Sequence, residues 1–290
     1  VFNLIDGDIC YFGATPFDHY GSLDTILHSA HETYLKCSQK GHELFLISDN
    51  AELLEKTQAM EVIVQDIINR KDFTLKFIFD TYEIDEDKNL LMQDASPIIL
   101  DSNNLEPFPI GVFISIAEKL HLSSIFDKIL IEKVLEYLKK EKLDHKVAIN
   151  LSMNSFIDKR FLSWLEGMLL YNESAKNSLI FSVASHNAKD NLDNFNSLIE
   201  IIHKFGSKIM LKRFTTDDFS LDDLDKLDID YIRLDKDYCM NINNDRARKH
   251  TVKNIILYGD MNNIKVLGDG VKSDEDYKIL SRLGLYATSR

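Results

Sequence analysis

The chain has 290 residues, of which 44% are hydrophobic and 28% charged, and its formal net charge is -13. That is apolar enough for one large core, or a core plus a smaller piece. It is too acidic, with no basic stripe interleaved with aromatics, for sequence-independent binding of nucleic acid. No run of about 18 apolar residues is available to span a membrane. Val1 opens the chain without Met or a signal-peptide pattern, which reads as a piece of something longer. Cys10, Cys37 and Cys239 fall at no metal-like or redox-like spacing, so a reducing compartment and ordinary burial are expected and no cofactor is called for.

In chain order, an apolar stretch (Ile9, Tyr11, Phe12) runs into a Gly-Pro turn region from Gly13 to Pro16. A helix follows over about 23–40, with Gly41 as its C-cap, and then a short strand over 43–47. Asp49 and Asn50 are good N-caps for an amphipathic helix over about 52–69. The domain boundary is placed here, with a small α+β piece over 1–50 and the main domain over 51–290.

Beyond residue 70, strand-like runs over 73–82, 146–150, 178–183, 207–211, 231–234 and 264–267 alternate with helical periodicity. The helices are expected over 110–120, 126–140, 155–170, 191–205, 221–227, 245–258 and 274–283. Within the third, Trp164 and the 161–169 pattern read as core. Short buried strands separated by helices imply parallel βαβ units, and seven or eight of them close into a TIM-like (β/α)8 barrel. A doubly wound open sheet is the runner-up.

In such a barrel the chemistry sits at the C-terminal strand ends. Those positions are Asn150, Ser182, Ser185, Lys212, Arg213, Arg233, Asp235, Asp269 and Lys272. Hard cations want a ring of carboxylate oxygens. Here four positions are cationic and only Asp235 and Asp269 are acidic. Two like charges about 4 Å apart cost about 4 kcal/mol at an intermediate dielectric. The site is not built for metal.

Four segments resemble the EAL family of bacterial cyclic di-GMP phosphodiesterases. Pro109 to Glu118, with Phe113, Ala117 and Glu118, is similar to the family's Pro-x-x-Phe-Ile-Pro-x-Ala-Glu. Asn150-Leu151-Ser152 is similar to its Asn-Leu-Ser strand end. Asp230-Tyr231-Ile232-Arg233-Leu234-Asp235 resembles Asp-Tyr-Leu-Lys-Ile-Asp, and Val266 to Lys272 resembles Ile-Ala-Glu-Gly-Val-Glu. The resemblance runs over roughly 53 to 288 and implies an EAL-type barrel.

The departures from the pattern are equally telling. The name-giving Glu-Ala-Leu falls near Gln93-Asp94-Ala95-Ser96, where either Gln93 replaces the glutamate or Asp94 shortens it. Pro97 or Ile98 stands where the family has a phosphate-gripping arginine, and 76–79 lacks its Gln-Pro pair. Ser182 and Ser185 correspond to two glutamates, and Lys212-Arg213 to an Asp-Asp pair. Arg233 replaces a lysine, while Asp269 and Lys272 stand for the last glutamate pair. Of the family's site, Asn150 is unchanged.

Residues 22–41 are also similar to the last helix of a GGDEF diguanylate-cyclase domain. The signature loop is absent, so no cyclase activity is expected. Together these features imply a catalytically inactive EAL-family signalling protein, working through a protein partner in bacterial regulation such as biofilm control. The alternative is a metal-independent cyclic di-GMP receptor using Asn150, Lys212, Arg213, Arg233 and Lys272, disfavoured because the arginine and the Gln-Pro pair are lost. An active phosphodiesterase comes last. A homodimer is allowed, and the expected location is cytoplasmic, including the cytoplasmic part of a membrane-anchored protein.

Overall fold

A computed structural model of the chain describes residues 11–15, 23–40, 45–47, 51–85, 87–100 and 107–289. The expected caps Gly41, Asp49 and Asn50, together with Ile9 and Cys10, lie outside the described residues.

Near the N-terminus, β1 (Phe12–Ala14) and β2 (Phe45–Ile47) pair in parallel, joined through helix α1 (Leu23–Lys40). Gly13, expected in a turn, lies within β1. A Cβ there would stand 2.2 Å from the backbone nitrogen of Tyr34, so only glycine lets α1 approach this strand. Helix α2 (Ala51–Arg70) then sends Val64, Ile67 and Ile68 into the main core.

The main body is a closed eight-stranded barrel. Its strands are β3 (Thr74–Glu83), β4 (Leu90–Ile98), β5 (Lys146–Asn150), β6 (Leu179–Ala184), β7 (Lys208–Phe214), β8 (Tyr231–Leu234), β9 (Lys265–Gly268) and β10 (Ala287–Ser289). The expectation of a TIM-like α/β barrel with a small N-terminal piece holds, with one correction. β3 runs antiparallel to both β4 and β10, and only the remaining pairs are parallel. A six-residue gap between β3 and β4 is long enough for a hairpin and too short for a crossover helix.

The two faces of the strands explain their apolar runs. Outward residues such as Val147, Ile149, Phe181, Leu211 and Ile232 belong to the large core under the helices. Met92, Ala148, Ile180, Met210, Tyr231, Leu267 and Ala287, one from each of seven strands, fill the barrel interior. Strands buried on both faces read as continuous hydrophobic stretches.

The outer helices include α3 (Ile110–Lys119) and α4 (Ser123–Lys140). The single helix expected over 155–170 is two, α5 (Met153–Ile157) and α6 (Lys159–Tyr171). Asp158 has extended backbone and its side chain accepts from Arg160 N, so it caps α6 and separates the two. Phe161, Leu165 and Leu169 are fully buried, as their spacing predicts. After β6 come α7's successor helices, so α7 (Glu173–Lys176) is followed by α8 (Ser185–Asp190) and α9 (Leu192–Lys204). Then come α10 (Leu221–Leu224), α11 (Lys236–Cys239), α12 (Arg246–Asn262) and α13 (Asp274–Leu283). α13 ends at Gly284, whose φ of +95° is the left-handed stop that favours glycine.

Candidate functional site

Side chains alternate along a strand, so the residue two beyond each interior apolar residue also points inward. From Met92, Ala148, Ile180, Met210, Tyr231, Leu267 and Ala287 that step reaches Asp94, Asn150, Ser182, Lys212, Arg233, Asp269 and Ser289. These polar residues form the next layer toward the C-terminal mouth of the parallel strands.

Two groups of contacts tie the layer together. On one side, Asn150 Oδ1 accepts from Ser182 Oγ at 2.5 Å and from Lys212 Nζ at 2.6 Å. On the other, Arg233 Nη1 donates to both oxygens of Asp94 at 3.0 Å. Its Nη2 reaches Thr81 Oγ1 at 3.2 Å and the Met92 sulfur at 3.3 Å. Asp94 and Arg233 are each 4% exposed, so this ion pair is withdrawn from water. Arg233 Nε is buried too, and has no hydrogen-bond partner among the described residues. Ser289 Oγ donates to Asp269 at 2.9 Å.

The remaining strand-end residues are placed elsewhere. Gln93 points outward and bonds Asp80 at 2.7 Å and His145 at 2.8 Å, so Asp94 is the inward member of that pair. Arg213 is exposed with φ +52°, at a point where the β7–β8 register shifts between Leu211 and Phe214. The bulge turns it away while Lys212 stays inside. Ser185 is fully buried, and its hydroxyl donates to the Arg213 carbonyl at 2.9 Å and to Asp218. Lys272 is exposed, and Asp235 caps α11 by accepting from Asp237 N. The four cations therefore split into Lys212 and Arg233 within the mouth, and Arg213 and Lys272 on the surface. Lys212 meets the neutral amide of Asn150 rather than a carboxylate.

One participant escaped the sequence reading. Asp127, on the buried face of α4, accepts from Ser155 Oγ at 2.6 Å and from Ser152 N at 2.8 Å. It thereby anchors the loop that leaves Asn150. A carboxylate three and four residues from Leu130 and Ile131 on an apolar helix face was the available signal.

Burial governs the electrostatics. Asp127 is pushed up to about 6, chiefly by loss of solvent, with its hydrogen bonds opposing. Burial also raises Asp94, against the pull of Arg233. Lys212 is brought down to about 8 by burial first. Asp94 resists that shift, while Arg213 and Arg233 add to it.

A divalent pair does not fit this donor set. Asp94 is spanned by Arg233, Asp269 is held by Ser289, and Lys212 takes the amide oxygen of Asn150. Among the described residues no three His, Cys, Asp or Glu side chains gather as a metal-binding group.

Comparison with known proteins fits the barrel and its strand ends, since the profile of the EAL domain matches residues 99–288. The chain is a member of the EAL family. Relatives of this EAL domain include the cyclic di-GMP phosphodiesterase PdeA of Borreliella burgdorferi, 23% identical over 182 residues. Another is the cyclic di-GMP phosphodiesterase PdeF of Escherichia coli, 25% identical over 176 residues. These alignments take in 61% and 60% of the chain, and about a quarter of the relatives' own length (27% and 24%).

Among solved structures, the apo S helix-GGDEF-EAL portion of Vibrio cholerae LapD superposes with a TM-score of 0.73 at 19% identity. It covers 93% of this chain and 65% of that one. The FimX EAL domain of Pseudomonas aeruginosa bound to c-di-GMP superposes with a TM-score of 0.69 at 18% identity, covering 79% and 92%. The family match begins after β4, so Gln93 and Asp94 lie outside it. No helix among the described residues is long and apolar enough to cross a membrane.

Proposed function

We propose that this EAL domain does not hydrolyse cyclic di-GMP and serves as a non-enzymatic signalling module that acts through protein contacts. The reading rests on one observation above the others: Lys212 Nζ sits 2.6 Å from Asn150 within the inward layer at the barrel mouth. An ammonium there opposes any divalent cation and takes the oxygen that such a cation would need. The N-terminal βαβ unit is read as the end of a GGDEF-like domain, in keeping with the 93% coverage by the LapD GGDEF-EAL structure.

Incubation with cyclic di-GMP and Mg2+ or Mn2+ tests the inactivity. The expected result is no linear dinucleotide, and metal-dependent product would overturn it. The receptor alternative draws on the FimX domain bound to c-di-GMP. Against it, the Nη groups of Arg233 and the amine of Lys212 are already engaged inside the layer. Isothermal titration with the dinucleotide, without metal, is expected to give no heat.

The acidic run over 217–228 is a poor docking face for a basic partner. Asp218 holds Ser185, Asp223 holds Lys189, Asp225 holds Tyr258 and Asp228 holds His203. Asp217, Asp222, Asp225 and Asp228 are its exposed acids, and Asp217 and Asp222 are the ones to reverse in a partner-binding assay.

A further inference from the structure

Lys212 is an amine in an unusual setting. Its hydrogen-bond acceptor is the neutral amide of Asn150, and that same oxygen also accepts from Ser182. On the neighbouring strand, Met210 pairs with Tyr231; the register shifts beyond Leu211, and Arg233 acts on Lys212 as a nearby positive charge in the inward layer. Arg233 uses both Nη atoms yet leaves its buried Nε–H without an acceptor among the described residues. A buried orphan donor costs about 1–3 kcal/mol and marks a place where an acceptor is wanted. Arg213 adds a second positive charge from the bulge next to Lys212.

We propose that Lys212 is a carbamylation site that takes carbon dioxide. The neutral amine attacks the carbon, forming a C–N bond as one C=O electron pair moves onto oxygen. The displaced N–H proton leaves to solvent, and the product is Lys212 bearing N–H–COO⁻. No oxidant, reductant or metal enters the balance.

The surroundings suit this product. Neutral reactants become an anion in the field of Arg233 within the layer, which holds the orphan N–H, and of Arg213 from the surface. Asp94 opposes the new charge, but Arg233 already spans that carboxylate. Asp127 also acts on Lys212 from α4, as a weaker charge. An aldehyde would give a neutral or cationic imine, which offers the arginines nothing, and it is bulkier than CO2 at a half-buried amine.

The supply of free amine is favourable as well. With Lys212 near 8, about half is neutral at pH 8, against under about 1% for a solvent-exposed lysine. The inference concerns the same cation-filled mouth as the proposed function but requires no particular outcome of the hydrolysis assay.

The test equilibrates the whole chain with 13C-bicarbonate at pH 8, traps carbamates with an alkylating oxonium reagent, and maps the adducts by peptide mass spectrometry. The expected result is labelling of Lys212 roughly tenfold or more above that of exposed Lys253, following its larger share of free amine. A carbamate 13C resonance is expected in the untreated protein and is lost in K212R. Equal labelling of Lys212 and Lys253, or none at Lys212, overturns the inference. The wild-type map decides this even if K212R folds poorly. Hydrolysis of cyclic di-GMP by a protein that still forms the adduct would sink the proposed function alone. A non-hydrolysing protein without the adduct would sink this inference alone.

Discussion

The two ends of the barrel handle charge differently. At the floor, where the parallel strands begin, charges pair across half-exposed positions. Lys208 meets Asp230 at 2.6 Å, and His203 stands between Asp228 and Asp230, at 3.1 Å from Nδ1 and 2.8 Å from Nε2. Lys265 donates to Tyr286, which donates to Glu83. At the mouth, Asp94 and Arg233 pair out of reach of water, and Lys212 faces an amide. Solvent can relax a mismatch at the floor, whereas the mouth must satisfy every charge from within. The floor therefore resembles ordinary surface stabilisation, and the mouth is where substitution and pH act strongly.

The largest effect is expected from R233M. It strands a buried carboxylate and costs about 3–5 kcal/mol of unfolding free energy in a urea titration. The double variant D94L/R233M should recover most of that loss, since an apolar pair of similar volume removes both desolvation penalties. A double variant as weak as R233M would mean that Asp94 carries another structural role.

Next in size are two opposite pH effects. Asp127 has a folded pKa raised to about 6 from about 4, so its stabilising contribution is present below about 4 and lost as pH rises through about 6. Relative to D127N, the wild type should lose about 2–3 kcal/mol across that window. Lys212 has a folded pKa lowered to about 8 from about 10.4. Its contribution is present above about 10.4 and lost as pH falls through about 8, so the wild type should gain up to about 3 kcal/mol over K212M between those values. Chemical denaturation at stepped pH reads both windows, and curves parallel to those of the variants would contradict the assigned burial.

The sequence made the floor and the helical shell easier to read than the mouth. Strands β5 to β9 are apolar on both faces, so their runs are legible. β4 is not, because Gln93, Asp94, Ser96 and Pro97 interrupt it. Asp94 faces the mouth, Gln93 points outward, and Ser96 and Pro97 come near the strand's end, so no single apolar run marks the strand. β10 spans three residues, too few for any periodicity. Alternation within β7 does place Lys212 and Arg213 on opposite sides. The positive φ of Arg213, which carries it out of the layer, is a tertiary choice that composition does not announce. Asp127 lay in plain view on an apolar helix face, but its meaning depends on the loop it meets from β5.

The smallest effect is expected at the floor, and it is the sharper check on the contrast. Lys208 is 42% exposed in its side chain, and Asp230, at 16%, keeps bonds from Ile209 N and His203 after Lys208 is gone. K208M should therefore cost no more than about 1 kcal/mol, and less as salt is raised, because a half-exposed pair is screened and its carboxylate is not stranded. Thermal unfolding at low and high salt measures this. A loss matching that of R233M would mean that the floor is as closed to solvent as the mouth, and the difference between the two ends would have to be sought in something other than access to water.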